Sequence, residues 1–274
     1  VLNIVLNSSS IKLKEIVIKD KGRVRYRNKN NPAVELIKNV IKHKDDNRIG
    51  AEEFYEFDKY EKVEFDLNTI DSALIKSKLF RGLEFMFENL DTSRVTGKTY
   101  LPMFLNETFS KVYGDNLLGE EKEDVLGNKS SGFDGHQAIT AFVEDLYSDY
   151  DVYENYLKFF DKSFTSPLSK TGVDTYNYVL SDSTFIDNKW CYNIIYYPRR
   201  KNELTFKGDF WVADTTYAIK KINLQVTKSA NINWVKEIYI EQEFDVVNDS
   251  VFLLKRDLLH FASDIEMTLP ESLI

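Results

Sequence analysis

From residue 156 to residue 261 the chain is written as seven short apolar runs, rich in Tyr, Phe, Ile and Val and closed by turn-forming residues. The runs span 156–160, 175–180, 190–197, 204–212, 217–226, 235–247 and 251–261. Between them stand Asp187-Asn188, Asp214-Thr215, Ser229-Ala230-Asn231 and Asn248-Asp249, residues that bend a chain by local hydrogen bonding and by tolerating left-handed backbone. Gaps this short leave no room for the long crossover that parallel neighbours need. An antiparallel meander is therefore expected, and a parallel, doubly wound sheet is excluded. Aromatic residues make up 14% of the chain and push the same way, because they suit a pleated, half-buried surface.

The first half mixes periods. Asn31-Pro32 is a helix start, with Asn as the cap and Pro in the first turn. Val34, Ile37, Val40 and Ile41 follow at helical spacing, and Lys42, His43 and Lys44 close the helix where cations suit its dipole. Residues 54–67 alternate as a long half-buried strand, with Tyr55, Phe57, Val63, Phe65 and Leu67 on one parity. The break in phase at Lys59-Tyr60-Glu61 predicts a bulge there. Residues 79–90 read as a short helix, 101–113 and 123–130 as strands, Gly132 to Gly135 as a turn and 138–147 as a further helix with Ile139, Phe142, Val143 and Leu146 inward. The expected fold class is α+β: a mostly antiparallel, curved β-sheet with two to four helices packed on one side. A two-residue turn at Asp214-Thr215 would pair Val212 with Tyr217 and Phe210 with Ile219. That sets odd positions of one strand beside even positions of its neighbour, so both faces of this region would be partly covered.

The sequence carries no recognisable catalytic or metal-binding motif. A net charge of −8 disfavours the phosphate neutralisation on which nucleic-acid affinity rests. The one basic cluster, Pro198-Arg199-Arg200-Lys201, reads as a solvated turn, with an anion site as the alternative. A single cysteine, Cys191, precludes an intramolecular disulfide, and its apolar surroundings predict a buried, inert thiol. His43, His136 and His260 lie far apart with no partner at ligand spacing, so neither a metal nor a cofactor is expected. There is no phosphate-binding loop, nucleophile elbow or zinc-protease helix. Acidic clusters occur at Asp45-Asp46, Asp58/Glu61/Glu64/Asp66, Glu120-Glu121/Glu123-Asp124 and Asp145/Asp149/Asp151. They read as solvated faces, with a hydrolase built on paired carboxylates as the alternative. No run of 18 apolar residues is present to make a membrane-spanning helix, and no signal peptide is visible.

Several segments carry a resemblance. They are 25–37, Tyr60-Glu61-Lys62-Val63-Glu64-Phe65-Asp66-Leu67, Ser166-Pro167-Leu168-Ser169, Tyr197-Pro198-Arg199-Arg200 and, longest, 206–222. Together these resemble an uncharacterised Bacteroidetes envelope family across roughly residues 11–262. The resemblance implies a larger protein of three parts: a carboxypeptidase-regulatory-like β-sandwich, a middle region such as this one and an outer-membrane β-barrel. Residues 1–19 would then be the end of the sandwich, 20–31 a linker, 32–265 the α+β domain and 266–274 the approach to the barrel. Both ends of the chain are read as cuts within that longer protein. The family brings no catalytic residues to transfer. Separately, Gly208-Asp209-Phe210-Trp211-Val212-Ala213-Asp214 with Ile219-Lys220-Lys221-Ile222 is similar to a hairpin of LolA-type lipoprotein carriers, a curved sheet shaped as a half-barrel over an apolar concavity.

The function expected is a non-catalytic module on the periplasmic side of the outer membrane. It would bind or relay a lipid or an envelope polypeptide, and no nucleic acid. Phe206, Phe210, Val212, Ile222, Leu224, Ile238 and Ile240 are the candidate ligand-lining residues; the same seven would serve equally as a filled core. The alternatives are a structural spacer between sandwich and barrel, and an envelope hydrolase using paired carboxylates.

Overall fold

A computed structural model describes residues 26–68, 87–88, 90–92, 99–132, 150–159, 162–226, 235–247 and 251–264. Helix α1 (Pro32–His43) begins where the sequence places it, with the Asn31 side chain accepting from the Ala33 amide at 3.0 Å. It buries Ala33, Val34, Ile37 and Val40. The strands are β1 (Phe54–Asn68), β2 (Asp91–Thr92), β3 (Thr99–Asp115), β4 (Glu120–Gly132), β5 (Tyr156–Phe159), β6 (Lys162–Thr165), β7 (Tyr176–Ile186), β8 (Lys189–Pro198), β9 (Phe206–Ala213), β10 (Ile219–Val226), β11 (Val235–Val247) and β12 (Val251–Asp264). A single helical turn, α2 (Gly172–Thr175), precedes β7. The helix expected at 138–147 lies outside the described residues, as does most of that expected at 79–90.

Ten strands form one sheet in the order β2-β3-β1-β12-β11-β10-β9-β8-β7, with β4 also pairing β3; β5 and β6 form a separate hairpin. From β7 to β12 every neighbouring pair is antiparallel, the meander that the turn spacing predicts. The exception is β1, which lies parallel to β12 in unbroken register from Tyr60↔Arg256 to Asn68↔Asp264. The two strands come from opposite ends of the domain, so no tight turn constrains their direction.

Two registers differ from expectation. β1 passes through Lys59, Tyr60 and Glu61 without a bulge, and the shift against β3 falls at Phe65/Asp66. Phe65 pairs Phe104 and Asp66 pairs Pro102, so the extra residue is Met103 on β3. At β9–β10 the connection is longer than two residues: Ile219 pairs Val212, and Ile222 pairs Phe210. The Ala213 amide bonds the Ala218 carbonyl, and Thr215 and Tyr217 both take positive φ (59° and 57°). The end of α1 and the turn after it support this connection, since His43 stacks on Tyr217 at 5.2 Å and Asn47 donates to the Thr216 carbonyl. Lys220 is the extra residue of a β10 bulge, and its ammonium bonds Asp187 and Asp245. The bulge restores even-with-even pairing, so Phe206, Phe210 and Val212 share one face with Ile222, Leu224 and Val226.

Two glycines carry an aromatic ring across a strand. Tyr196 lies over Gly208 and donates to the Asn223 carbonyl on β10 at 2.7 Å; Tyr55 lies over Gly114 and donates to Glu121 on β4 at 2.5 Å. A Cβ at Gly208 would stand 2.0 Å from the Asn223 carbonyl oxygen, a backbone atom that cannot step aside. Gly208→Ala is therefore expected to cost about 1–3 kcal/mol or more. Gly127→Ala, whose Cβ would meet nothing within 4 Å, is the control. Urea unfolding midpoints compare the two, and equal midpoints would contradict the packing argument.

Candidate functional site

The seven residues singled out from sequence come together. Phe206, Phe210 and Val212 on β9, Ile222 and Leu224 on β10, and Ile238 and Ile240 on β11 belong to one apolar cluster, each at 0% exposure. Phe210 sits between Ile194 and Ile222 in neighbouring strands, and Leu224 sits opposite Ile240. The face is covered. Phe164 packs on Phe206 at 5.2 Å and Phe159 meets the same ring edge-on, both from the β5–β6 hairpin.

Tyrosine hydroxyls tie this covering segment to the sheet. Tyr178 donates to the Pro167 carbonyl, Tyr176 donates to the Thr165 carbonyl and accepts from the Phe206 amide, and Tyr153 accepts from the Ile219 amide. Lys44, buried at the end of α1, donates to the Tyr153 carbonyl. Ser166 and Leu168, in the turn singled out from sequence, form a local hydrogen-bonded loop with the Val152 carbonyl. Arg199 is likewise structural: it donates to the Tyr176 carbonyl and to Asn28, and stacks on Tyr26. Cys191 is buried, and burial pushes its thiol upward, away from the reactive thiolate.

Titratable chemistry concentrates elsewhere, in two places. On the covered face Asp257 is buried against Tyr150, which donates at 2.8 Å, and Gln242, which donates at 3.3 Å. Burial pushes its carboxyl up to about 7, with Glu61 adding repulsion and the two hydrogen bonds opposing. On the other face His260 stands 3.4 Å from Asp66 and 3.6 Å from Glu64. Burial pushes the Asp66 carboxyl up to about 7 against the pull of His260. Glu64 goes the other way: burial opposes ionisation, but hydrogen bonds from His260 and Lys62 hold it down at about 2. Asp257 and His260 are three residues apart on a strand in unbroken register, so the two groups occupy opposite faces of the sheet. Among the described residues no group of three or more His, Cys, Asp or Glu is placed to hold a metal ion. His136 lies outside the described residues.

Several large apolar side chains stand exposed on the strands expected at 101–113 and 123–130 and on the turn between them. β3 and β4 form a long hairpin, and Asp115 caps the amides of Leu117 and Leu118 at its tip. Leu117, Leu118, Val125 and Leu126 are between 59% and 71% exposed. Phe109 on β3 is also exposed. Beside the tip lies an open depression of about 580 Å³, lined by Tyr113, Gly114, Gly119, Glu120, Glu121 and Lys122 among others. Two adjacent leucines within Asp115-Asn116-Leu117-Leu118-Gly119 were the available signal, because apolar pairs are out of place in a turn.

Comparison with known proteins gives a family and little more. A family model described as a family of unknown function (DUF5686) matches residues 36–267. No curated protein matches the sequence. Among solved structures, a domain described as an outer membrane lipoprotein-sorting protein from Vibrio parahaemolyticus is 10% identical, covers 60% of this chain and 71% of its own, and has a TM-score of 0.24. A DUF1329 family protein from Desulfovibrio piger is 9% identical over 80% of this chain and 82% of its own, with a TM-score of 0.26. At these TM-scores neither likeness carries an argument about function.

Proposed function

The chain belongs to the DUF5686 family, whose function is unknown, and we propose that it is a non-catalytic interaction module of the cell envelope that engages a polypeptide partner through its β3–β4 hairpin. The observation that carries this reading is the contrast between its two apolar surfaces. The inner face is closed over by the β5–β6 hairpin, whereas four large apolar side chains of β4 and its tip stand in solvent. Large apolar residues exposed on an edge strand and its turn are a candidate interaction surface. The two elevated carboxyls, Asp257 and Asp66, lie on opposite faces of the sheet and do not pair with each other, while Asp66 shares His260 with Glu64, the one place where the hydrolase alternative would find two acids together. The sequence resemblance supports a setting on the periplasmic side of the outer membrane, attached to a barrel.

A photo-reactive residue at position 118 of the full-length protein, in its native cells, tests the reading. A discrete protein adduct is expected there and not from position 185, where the equally exposed Phe185 sits at the other end of the sheet. Adducts at neither position, or the same adducts at both, would count against it.

A second reading keeps the inner face as a lipid site. It is favoured by the β5–β6 hairpin being a sheet of its own, whose one backbone bridge to the main sheet among the described residues is Thr165↔Thr205, the remaining ties being the Tyr176 hydroxyl and ring packing. If that hairpin moved aside, Phe206 and its neighbours would open as a groove. The spacer reading asks for neither surface and would leave position 118 without an adduct.

A further inference from the structure

Resting on the hairpin reading above, we infer that the partner is a basic, strand-forming polypeptide that adds to the free edge of β4 along Glu120–Val125, with an apolar side chain seated beside Leu117 and Leu118. Among the described residues β4 pairs with β3 on one side and with no strand on the other. Every second residue of an edge strand turns its backbone N–H and C=O outward, and an extended polypeptide can satisfy them. A register shift at Phe109/Ser110 makes Leu126 the extra residue of a bulge, which ends the regular edge at Val125.

Charge then selects the occupant. The regular stretch reads Glu120-Glu121-Lys122-Glu123-Asp124, four acids to one lysine; Glu123 is met by Lys59 of β1 at 3.1 Å, so the excess negative charge sits chiefly at Glu120 and Glu121. Lys122 is committed to Asp124, at 2.8 Å on the same strand. Glu52 and Glu53, just before β1, lie at this same end of the sheet, where the Asn116 amide bonds the Glu53 carbonyl. A second copy adding through the same edge would bring acids against acids, and directly opposed like charges destabilise a strand pair. An anionic lipid surface meets the same repulsion. A strand carrying lysine or arginine at alternate positions meets the opposite, and its apolar positions find Leu117, Leu118 and the neighbouring depression.

The probes are three labelled ten-residue peptides: alternating Lys-Val, alternating Glu-Val, and a Lys-Pro peptide that matches the first in charge but cannot pair as a strand. Fluorescence anisotropy with the whole chain should show binding of Lys-Val at least tenfold tighter than of either control. Amide hydrogen exchange should slow at 120–125 when it binds. Glu120→Lys, opposite Asp115, with Asp124→Asn, which sets no like charge against Lys111, should weaken that binding tenfold or more with little change in the unfolding midpoint. Equal binding of Lys-Pro reduces the interaction to bulk charge and overturns the inference. So does concentration-dependent dimerisation that the double variant abolishes, or binding to phosphatidylglycerol vesicles in preference to the peptide. If Lys-Val fails while position 118 still gives its adduct in cells, the partner class is wrong and the interaction module stands; if both fail, the reading beneath falls too.

Discussion

Phe210→Ala is expected to cost about 3–5 kcal/mol of folding stability, the usual range for removing a buried aromatic ring from a core that cannot collapse around the gap. Phe210 has no exposed surface and packs its ring 5.7 Å from that of Tyr196. Its strand neighbours Ile194 and Ile222 are also fully buried, so no flexible side chain can swing in to fill the space. The same substitution separates the two apolar readings. If the inner face opens for a lipid, the cost should be clearly smaller and binding of a fluorescent fatty acid should weaken. Full destabilisation, with no fatty-acid binding by the parent protein, removes the carrier reading. Chemical denaturation and a fluorescence titration on the same preparations decide it.

The second large effect is a dependence of stability on pH. Asp257 is raised from its ordinary 3.8 to about 7 by burial. A carboxyl raised in the folded state holds its proton more tightly there than when unfolded. Its contribution is complete below the unfolded value and is lost as pH rises through the folded one. Between pH 5 and pH 8 that loss is about 2–3 kcal/mol for a shift of this size. Asp66, also raised to about 7, adds in the same direction, while Glu64, lowered to about 2, withdraws its contribution only as pH falls below the ordinary carboxyl range. Stability should therefore peak in mild acid, decline from there to neutrality and level off above it. Asp257→Asn keeps an acceptor for the Tyr150 hydroxyl and removes the titration. The stability difference between variant and parent should shift in the variant's favour by about 2–3 kcal/mol from pH 5 to pH 8. A difference that stays constant across that range would show that Asp257 does not titrate as its burial demands.

What the sequence alone determined is what a few adjacent residues can enforce. Asn31-Pro32 starts α1 because the cap and the fixed proline φ act within one turn. Asp187 and Asn188 close β7 onto β8 because both tolerate positive φ (45° and 63°), the conformation of a two-residue hairpin turn. Alternation along β9, β10 and β11 marked the seven residues that share the inner face, since a strand turns its side chains over with a period of two. Only the tertiary structure decided the rest. The β9–β10 turn is held at Tyr217 and Thr216 by His43 and Asn47, residues distant in sequence. The parallel meeting of β1 with β12 brings Asp66 beside His260, and Tyr150 comes against Asp257 from a distant part of the chain. Periodicity records which side of a strand faces apolar surroundings. It does not record which strand lies alongside, and a carboxyl's burial, its proton and the freedom of an edge all depend on that neighbour.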